Sequence, residues 1–283
     1  MAAPILFDAH NHLQDAWFTD HRREIFSDLS SIQVRACVVN GTCEDDWAAV
    51  AELAAASPMV IPSFGLHPWD VGNCTPAWQE KLQHHLKVVP RAIIGEIGLD
   101  RWMLERARPD DPRLAGLRRA SLPDQIAAFR WQLSLAAERD LPASIHCLEA
   151  FGALLEVLTS APRPSRGLLL HAYSGSLEMA AAFTKLGAYF SFNGAFLDPR
   201  KHRQCEVFAT IAADRLLVET DAPAMRLPAE REEFTLPVSP DGQPVNHPAN
   251  IRAAYAGLAG VRGISVEELA AQVAENFARL FGG

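Results

Sequence analysis

Short apolar runs alternate with longer stretches of helical periodicity along almost the whole chain. Runs at residues 6–10, 36–40, 60–65, 92–96, 142–146, 167–171, 188–193 and 216–221 have the length and apolar character of buried strands, and turn-forming residues bound them. Pro62 weakens the third of these. Between and after them, residues 20–31, 44–56, 76–88, 123–140, 149–159, 177–186, 199–212, 249–259 and 266–281 read as helices. In the segment 123–140, Ile126, Phe129, Leu133 and Ala137 recur at helical spacing, and Leu269, Val273, Phe277 and Leu280 form an apolar stripe on the last helix. Thr75 followed by Pro76 predicts a capped helix start. Two stretches break the rhythm. Residues 101–122, rich in Arg, Asp and Pro, predict a surface loop or short-helix insertion, and residues 222–248 a Pro-rich loop. Eight strands alternating with helices predict a (β/α)8 TIM barrel, one domain over residues 1–283, with its chemistry at the C-terminal ends of the strands.

Composition narrows the function classes. The chain has 283 residues, of which 49% are hydrophobic, enough for a large core, and a formal net charge of -8. That charge argues against a broad basic face gripping nucleic acid, though not against a phosphate held at one local, metal-charged site. The 5 cysteines are scattered and form no CxxC pair, which suits reduced thiols. Cys147 follows His146 directly, and neighbouring strand residues face opposite ways, so a Cys–His nucleophile is not expected there. No basic stretch followed by a long apolar one suggests a signal peptide, and no run is long enough to span a membrane. A soluble, cytoplasmic protein is the expectation.

The candidate chemistry lies at the expected strand ends. His10 and His12 close the first strand, where alternation puts Asp8, His10 and His12 on one face. Two imidazoles at that spacing can grip one metal ion, with Asp8 placed to hold one ring from behind. Glu96, His146, His171 and Asp221 end the fourth, fifth, sixth and eighth strands. A lone histidine at a strand end is more often hydrogen-bonded structure than a ligand. The recurrence of ligand-type residues at one level of the barrel changes that balance. Imidazole and carboxylate donors suit Zn, Mn, Fe or Co. His10, His12, Glu96, His146, His171 and Asp221 exceed one tetrahedral site and predict two divalent metal ions sharing Glu96. Such a pair can clamp the attacking and leaving oxygens of a displacement. Glu219, on the same face one layer deeper, is expected to be a buried structural carboxylate. No GxSxG, HExxH, GxGxxG or GxxxxGK motif competes with this reading.

The motifs together resemble the TatD-type metal-dependent hydrolases of the amidohydrolase superfamily. They are Asp8-Ala9-His10-Asn11-His12, Gly65-Leu66-His67-Pro68, Gly95-Glu96-Ile97-Gly98-Leu99-Asp100, Ile145-His146-Cys147, His171-Ala172-Tyr173-Ser174-Gly175-Ser176 and Glu219-Thr220-Asp221-Ala222-Pro223. The resemblance implies a TIM barrel with two, sometimes three, divalent metals. His10, His12, Glu96 and Asp221 would hold one ion, and Glu96, His146 and His171 the other, with His67 touching substrate phosphate or water. It also implies a nuclease, since characterised relatives are often DNases acting on phosphodiesters, commonly from an end. On that reading the substrate is a nucleic-acid end or short oligonucleotide, and Asp221 takes the proton of the attacking water. Two departures bear on the substrate. Where the family usually has His-x-Arg-Asp-Ala, this chain has His146-Cys147-Leu148-Glu149-Ala150, and a basic residue is missing. Arg101, Arg106 or Arg108 of the insertion could replace it, or the insertion could be a different lid. Asn246-His247-Pro248 stands where Asn-Glu-Pro is common. The alternatives are an amide, ester or lactone hydrolase using the same metals, and a non-catalytic binding barrel.

Overall fold

The structure is a computed structural model and describes residues 3–239 and 242–282. Its strands are β1 (Leu6–Asn11), β2 (Val34–Gly41), β3 (Val60–Phe64), β4 (Ile93–Asp100), β5 (Ala143–Leu148), β6 (Leu168–Leu170), β7 (Ala188–Asn193) and β8 (Leu216–Glu219). They form one 8-stranded sheet in sequence order, each neighbouring pair parallel. Parallel pairing requires a crossover after each strand, and helices supply it. At the mouth the first and last strands meet: the Asp221 N–H donates to the His10 carbonyl at 2.9 Å, and the His12 N–H to the Ala222 carbonyl at 2.8 Å. The fold is therefore the (β/α)8 barrel the alternating pattern predicts.

Local chemistry explains the element boundaries. The helix Leu122–Arg139 opens on Ser121, whose side chain accepts the Asp124 N–H, carries a proline in its first turn, and stops at Asp140 in the left-handed region at φ 48; all three are standard helix-end devices. The helix predicted from Pro76 instead starts at Trp78. The Thr75 hydroxyl and N–H donate to Glu44, at 2.6 and 2.7 Å, while the same hydroxyl oxygen accepts the Ala77 N–H at 3.3 Å, so Thr75 ties two loops together and bonds the turn before the helix. Pro62 is accommodated because β3 pairs with β4 only through Ser63 and Phe64. The insertion holds one turn of helix, Trp102–Glu105, and a 3-10 turn, Pro112–Leu114.

The terminal helix Val266–Phe281 buries Leu269, Val273, Phe277 and Leu280, and Phe277 lies 4.6 Å from Phe7 of β1 between ring centroids. Tyr255, fully buried on helix Ile251–Arg262, accepts the Phe7 N–H at 3.1 Å and donates to the Phe7 carbonyl at 3.0 Å. The register of β1 against β2 shifts at this point, and the phenol satisfies a backbone unit the ladder leaves unpaired. Replacing Tyr255 with Phe strands both groups in the core. We expect a loss of about 1–3 kcal/mol, read as a lower urea midpoint at unchanged slope.

Candidate metal centre

Glu96 on β4 is the hub. It is 3% exposed, and its two carboxylate oxygens face different partners. Oε2 lies 3.3 Å from His10 Nε2 and 3.4 Å from His12 Nε2. Oε1 lies 2.9 Å from His171 Nε2, 3.1 Å from His146 Nδ1 and 3.3 Å from His67 Nε2. Asp221 Oδ1 closes the first group, 3.4 Å from His12 Nε2 and 3.7 Å from His10 Nε2. The structure thus brings together every residue predicted for the site. Three overlapping sets have ligand atoms within 4.8 Å of one another: His10, His12 and Glu96; His10, His171 and Asp221; His67, Glu96 and His146.

Partners behind the rings fix which nitrogen each one offers. His12 Nδ1 donates to the Asn40 carbonyl at 2.8 Å, which leaves its Nε2 lone pair facing the centre. His146 turns the other way, with Nε2 donating to Asp100 Oδ2 at 3.1 Å and Nδ1 left toward Glu96. His10 Nδ1 meets the Ser144 hydroxyl at 2.9 Å. His67 differs: its Nδ1 accepts the Trp69 N–H at 3.2 Å, so in the neutral ring Nε2 carries the proton and points a donor into the site. This is the arrangement of a group that holds an oxygen rather than a metal.

Two sequence expectations need correction. Asp8 holds neither ring. Its carboxylate accepts from the His10 N–H at 3.2 Å, Asn11 Nδ2 at 3.0 Å, the Thr220 N–H at 3.1 Å and the Thr220 hydroxyl at 2.6 Å. It ties β1 to β8 beside Asp221 and so positions the carboxylate indirectly. Strict alternation through β4 also fails, because its register against β5 shifts between Ile94 and Ile97, across Glu96. Glu219 is fully buried and bonded to Ser191 and Asn193, as expected for a structural carboxylate.

Several residues escaped the sequence reading. Ser144, two residues before His146 on β5, anchors His10. Asp100 accepts from His146 and from Trp69 Nε1, at 2.6 Å, on the same oxygen Oδ2, while Oδ1 accepts the Met103 N–H at 2.8 Å. A signal for it existed, since Glu96, Gly98 and Asp100 are evenly spaced on one strand. Gly98, at φ 148, permits the close approach of β4 to β5: a Cβ there would lie 1.9 Å from the His146 carbonyl oxygen.

Electrostatics match the geometry. Burial alone would raise the Glu96 carboxyl, but His67, His171 and His10 around it outweigh that and hold it well below the usual carboxylate range. Burial opposes the charge on His12, yet the hydrogen bond to Asp221 and the nearby Glu96 lift it to about 9. His146, likewise opposed by burial, is lifted by Asp100 and Glu96 to about 9. Asp221, which burial would raise, is held low by His12, His171 and His10. The donor set fits a divalent metal on one further observation: His10 Nε2, fully buried, aims into the cluster without a hydrogen-bond partner. A buried polar atom left so is costly, and a metal would use it.

Above the cluster opens a cavity of about 440 Å³ lined by Thr42, Trp69, Leu148, Phe196, Lys201 and Met225 among others. Of the departures noted in the sequence, Leu148 alone reaches it. Arg101, Arg106 and Arg108 are paired instead with Glu105, Glu149 and Asp110 and do not line it. His247 is buried, its Nε2 3.3 Å from Asp28 Oδ2, and docks its loop on helix Arg22–Ser31.

Comparison with known proteins is consistent along the whole chain. The family model described as TatD related DNase matches residues 7–282. The uncharacterized metal-dependent hydrolase YabD of Bacillus subtilis is 29% identical over 280 residues, covering 98% of this chain and 99% of that protein. The 3'-5' ssDNA/RNA exonuclease TatD of Klebsiella pneumoniae is 28% identical over 282 residues, covering 98% of each. The crystal structure of the TatD homologue YjjV from Escherichia coli superposes with a TM-score of 0.82 at 27% identity, covering 98% of each chain.

Two outcomes test the centre. Metal uptake must expel protons from His12, His146 and His171, all held above the ordinary imidazole range by the carboxylates around them, so apparent affinity for Zn or Mn is expected to rise with pH through neutrality and beyond, with net proton release in calorimetry across buffers of different ionisation enthalpy. Asp100→Asn, which loosens the ring of His146, should weaken metal binding roughly 10- to 100-fold in chelator competition.

Proposed function

The chain belongs to the TatD related DNase family, whose members include metal-dependent hydrolases, and on that premise we propose that it is a divalent-metal-dependent phosphodiesterase acting on the ends of single-stranded nucleic acid or on short oligonucleotides. The observation that carries this reading is the split of the Glu96 carboxylate between two imidazole groups, an arrangement suited to two neighbouring cations. His10, His12, Glu96 and Asp221 would hold one ion, and Glu96, His146 and His171 the other. Bound there, a metal pair supplies Lewis-acid stabilisation of growing phosphate charge and lowers the pKa of water.

The chain's own groups do the rest. Asp221, held ionised by the histidines beside it, accepts at Oδ1 the proton of the water that attacks phosphorus in line. The bond from phosphorus to the leaving oxygen breaks as the new one forms, and that oxygen takes up the proton Asp221 received. His67, its proton fixed on Nε2 by the Trp69 N–H, donates to a non-bridging oxygen and resists rotation as charge accumulates there. The buried floor of the cavity excludes bulk water from these steps. Exonuclease polarity is suggested by the Klebsiella pneumoniae relative, a 3'-5' ssDNA/RNA exonuclease. No helix among the described residues is long and apolar enough to cross a membrane.

The test is turnover of short single-stranded DNA and RNA with Mg, Mn or Zn, set beside a panel of esters, lactones and amides. We expect metal-dependent release of mononucleotides, abolished by chelator and reduced roughly 100- to 1,000-fold, on the order of lost transition-state electrostatics, in Glu96→Ala. Preferential turnover of the acyl panel, or nuclease activity surviving both metal removal and Glu96→Ala, would sink the proposal.

A further inference from the structure

The cavity above the cluster has two unlike flanks. One is aromatic. Trp69 follows β3, is half-buried and lines the cavity. Its polar atom is already committed to Asp100, and Trp102 of the insertion packs behind it, 6.2 Å away between ring centroids. Arg113 lies in turn 4.3 Å from the Trp102 ring centroid. The insertion therefore braces the indole from outside. A ring so held presents a fixed apolar face with no free hydrogen-bonding edge.

The other flank carries Lys201, the only Lys or Arg lining the cavity among the described residues. It follows β7 on a 3-10 turn, Pro199–Lys201. Its ammonium lies 5.8 Å from the Phe196 ring centroid and makes no salt bridge among the described residues. In a barrel whose 8 strands run in sequence order, β3 and β7 stand opposite one another. Strand order thus sets the loops that carry the indole and the ammonium on opposite sides of the mouth, around Glu96 and its histidines.

Resting on the phosphodiesterase reading above, we propose that Trp69 and Lys201 are specificity residues that seat single-stranded nucleic acid across the barrel mouth. Trp69 stacks the base on one side of the scissile bond, and Lys201 holds the phosphate next along the chain on the other side. The aromatic face accepts any base, since stacking needs only a π-surface and this indole has no spare donor. The cation does the work of the basic residue that Leu148 replaces, from the loop after β7 rather than from the end of β5. Recognition is therefore of a stacked base and a flanking phosphate, without sequence readout, and an isolated phosphodiester is a poor substrate.

The experiment uses the full chain and three kinds of short DNA oligonucleotide: unmodified, with an abasic residue placed in turn on each side of the scissile bond, and with a neutral methylphosphonate at the linkage next to it. For the wild type, the abasic residue on the stacking side should lower kcat/KM roughly 5- to 150-fold, the range seen when base–aromatic stacks are removed. The methylphosphonate should lower it about tenfold, the scale of one charge-assisted hydrogen bond. Trp69→Ala should collapse the first ratio toward one and leave the second, while Lys201→Ala does the reverse. Trp69→Phe, which keeps a ring, should restore most of the first. Fluorescence anisotropy with chelator-treated protein should show the same pattern in binding without turnover. Cleavage of the unmodified oligonucleotide with both ratios unchanged in both variants would overturn this inference alone. A wild type that cleaves no oligonucleotide would overturn the phosphodiesterase reading, and failure of the anisotropy pattern in that case would overturn the seating as well.

Discussion

One buried carboxylate sets the terms for the rest of the molecule. Glu96 sits at the mouth with histidines on both of its oxygens. A carboxylate taken out of water is costly unless cations or donors surround it. The barrel meets that cost by aiming β1, β4, β5 and the loops after β3, β6 and β8 at a single point. The imidazoles would in turn repel one another if all were charged, and the carboxylates Glu96, Asp221 and Asp100 hold them together. Neither set is stable at this density without the other, so the assembly is a matched set of acids and bases kept close by the closed sheet.

The same logic explains the ring supports. A histidine that is to lend a lone pair to the centre must put its proton elsewhere. The Asn40 carbonyl and Asp100 take those protons from His12 and His146, at opposite nitrogens of the two rings. Asp100 then does more than orient one imidazole, because the oxygen that receives His146 also receives Trp69. Its backbone is fixed in turn by Gln125 of helix Leu122–Arg139, which accepts the Asp100 N–H at 2.8 Å and donates to its carbonyl at 3.1 Å. The wall of the cavity and the chemistry at its floor therefore share an anchor, and displacement of one is felt by the other.

Much of this was legible in the chain. Periodicity alone gave the eight strands, because each parallel strand buried on both faces reads as an apolar run. The ligand-type residues stood out because the barrel places them at one level on separate strands. The residues that escaped notice did so for physical reasons. Ser144 and Asn40 act through a hydroxyl and a backbone carbonyl, neither of which marks a sequence. Lys201 lies in what reads as an ordinary helix start, and only closure of the barrel sets it opposite Trp69. Thr75 carries a valid capping signal and does accept the Ala77 N–H, but its bond to Glu44 depends on a loop that only the fold brings near, and the helix begins later, at Trp78.

The charge of the molecule then takes on a sharper meaning. A chain of net charge -8 repels a polyanion at long range, so attraction must be short-ranged and confined to the mouth. Debye screening limits the reach of the acidic surface to about 8 Å at physiological ionic strength, while a half-buried ammonium at the rim of a concave site is screened far less. Under that constraint a base-stacking wall has a specific value: it adds affinity that salt does not weaken and that needs no further positive charge. Leu148 fits the same scheme. On the proposed seating, a basic residue there would crowd cations beside His146 at the end of β5, whereas Lys201 supplies one from the loop after β7.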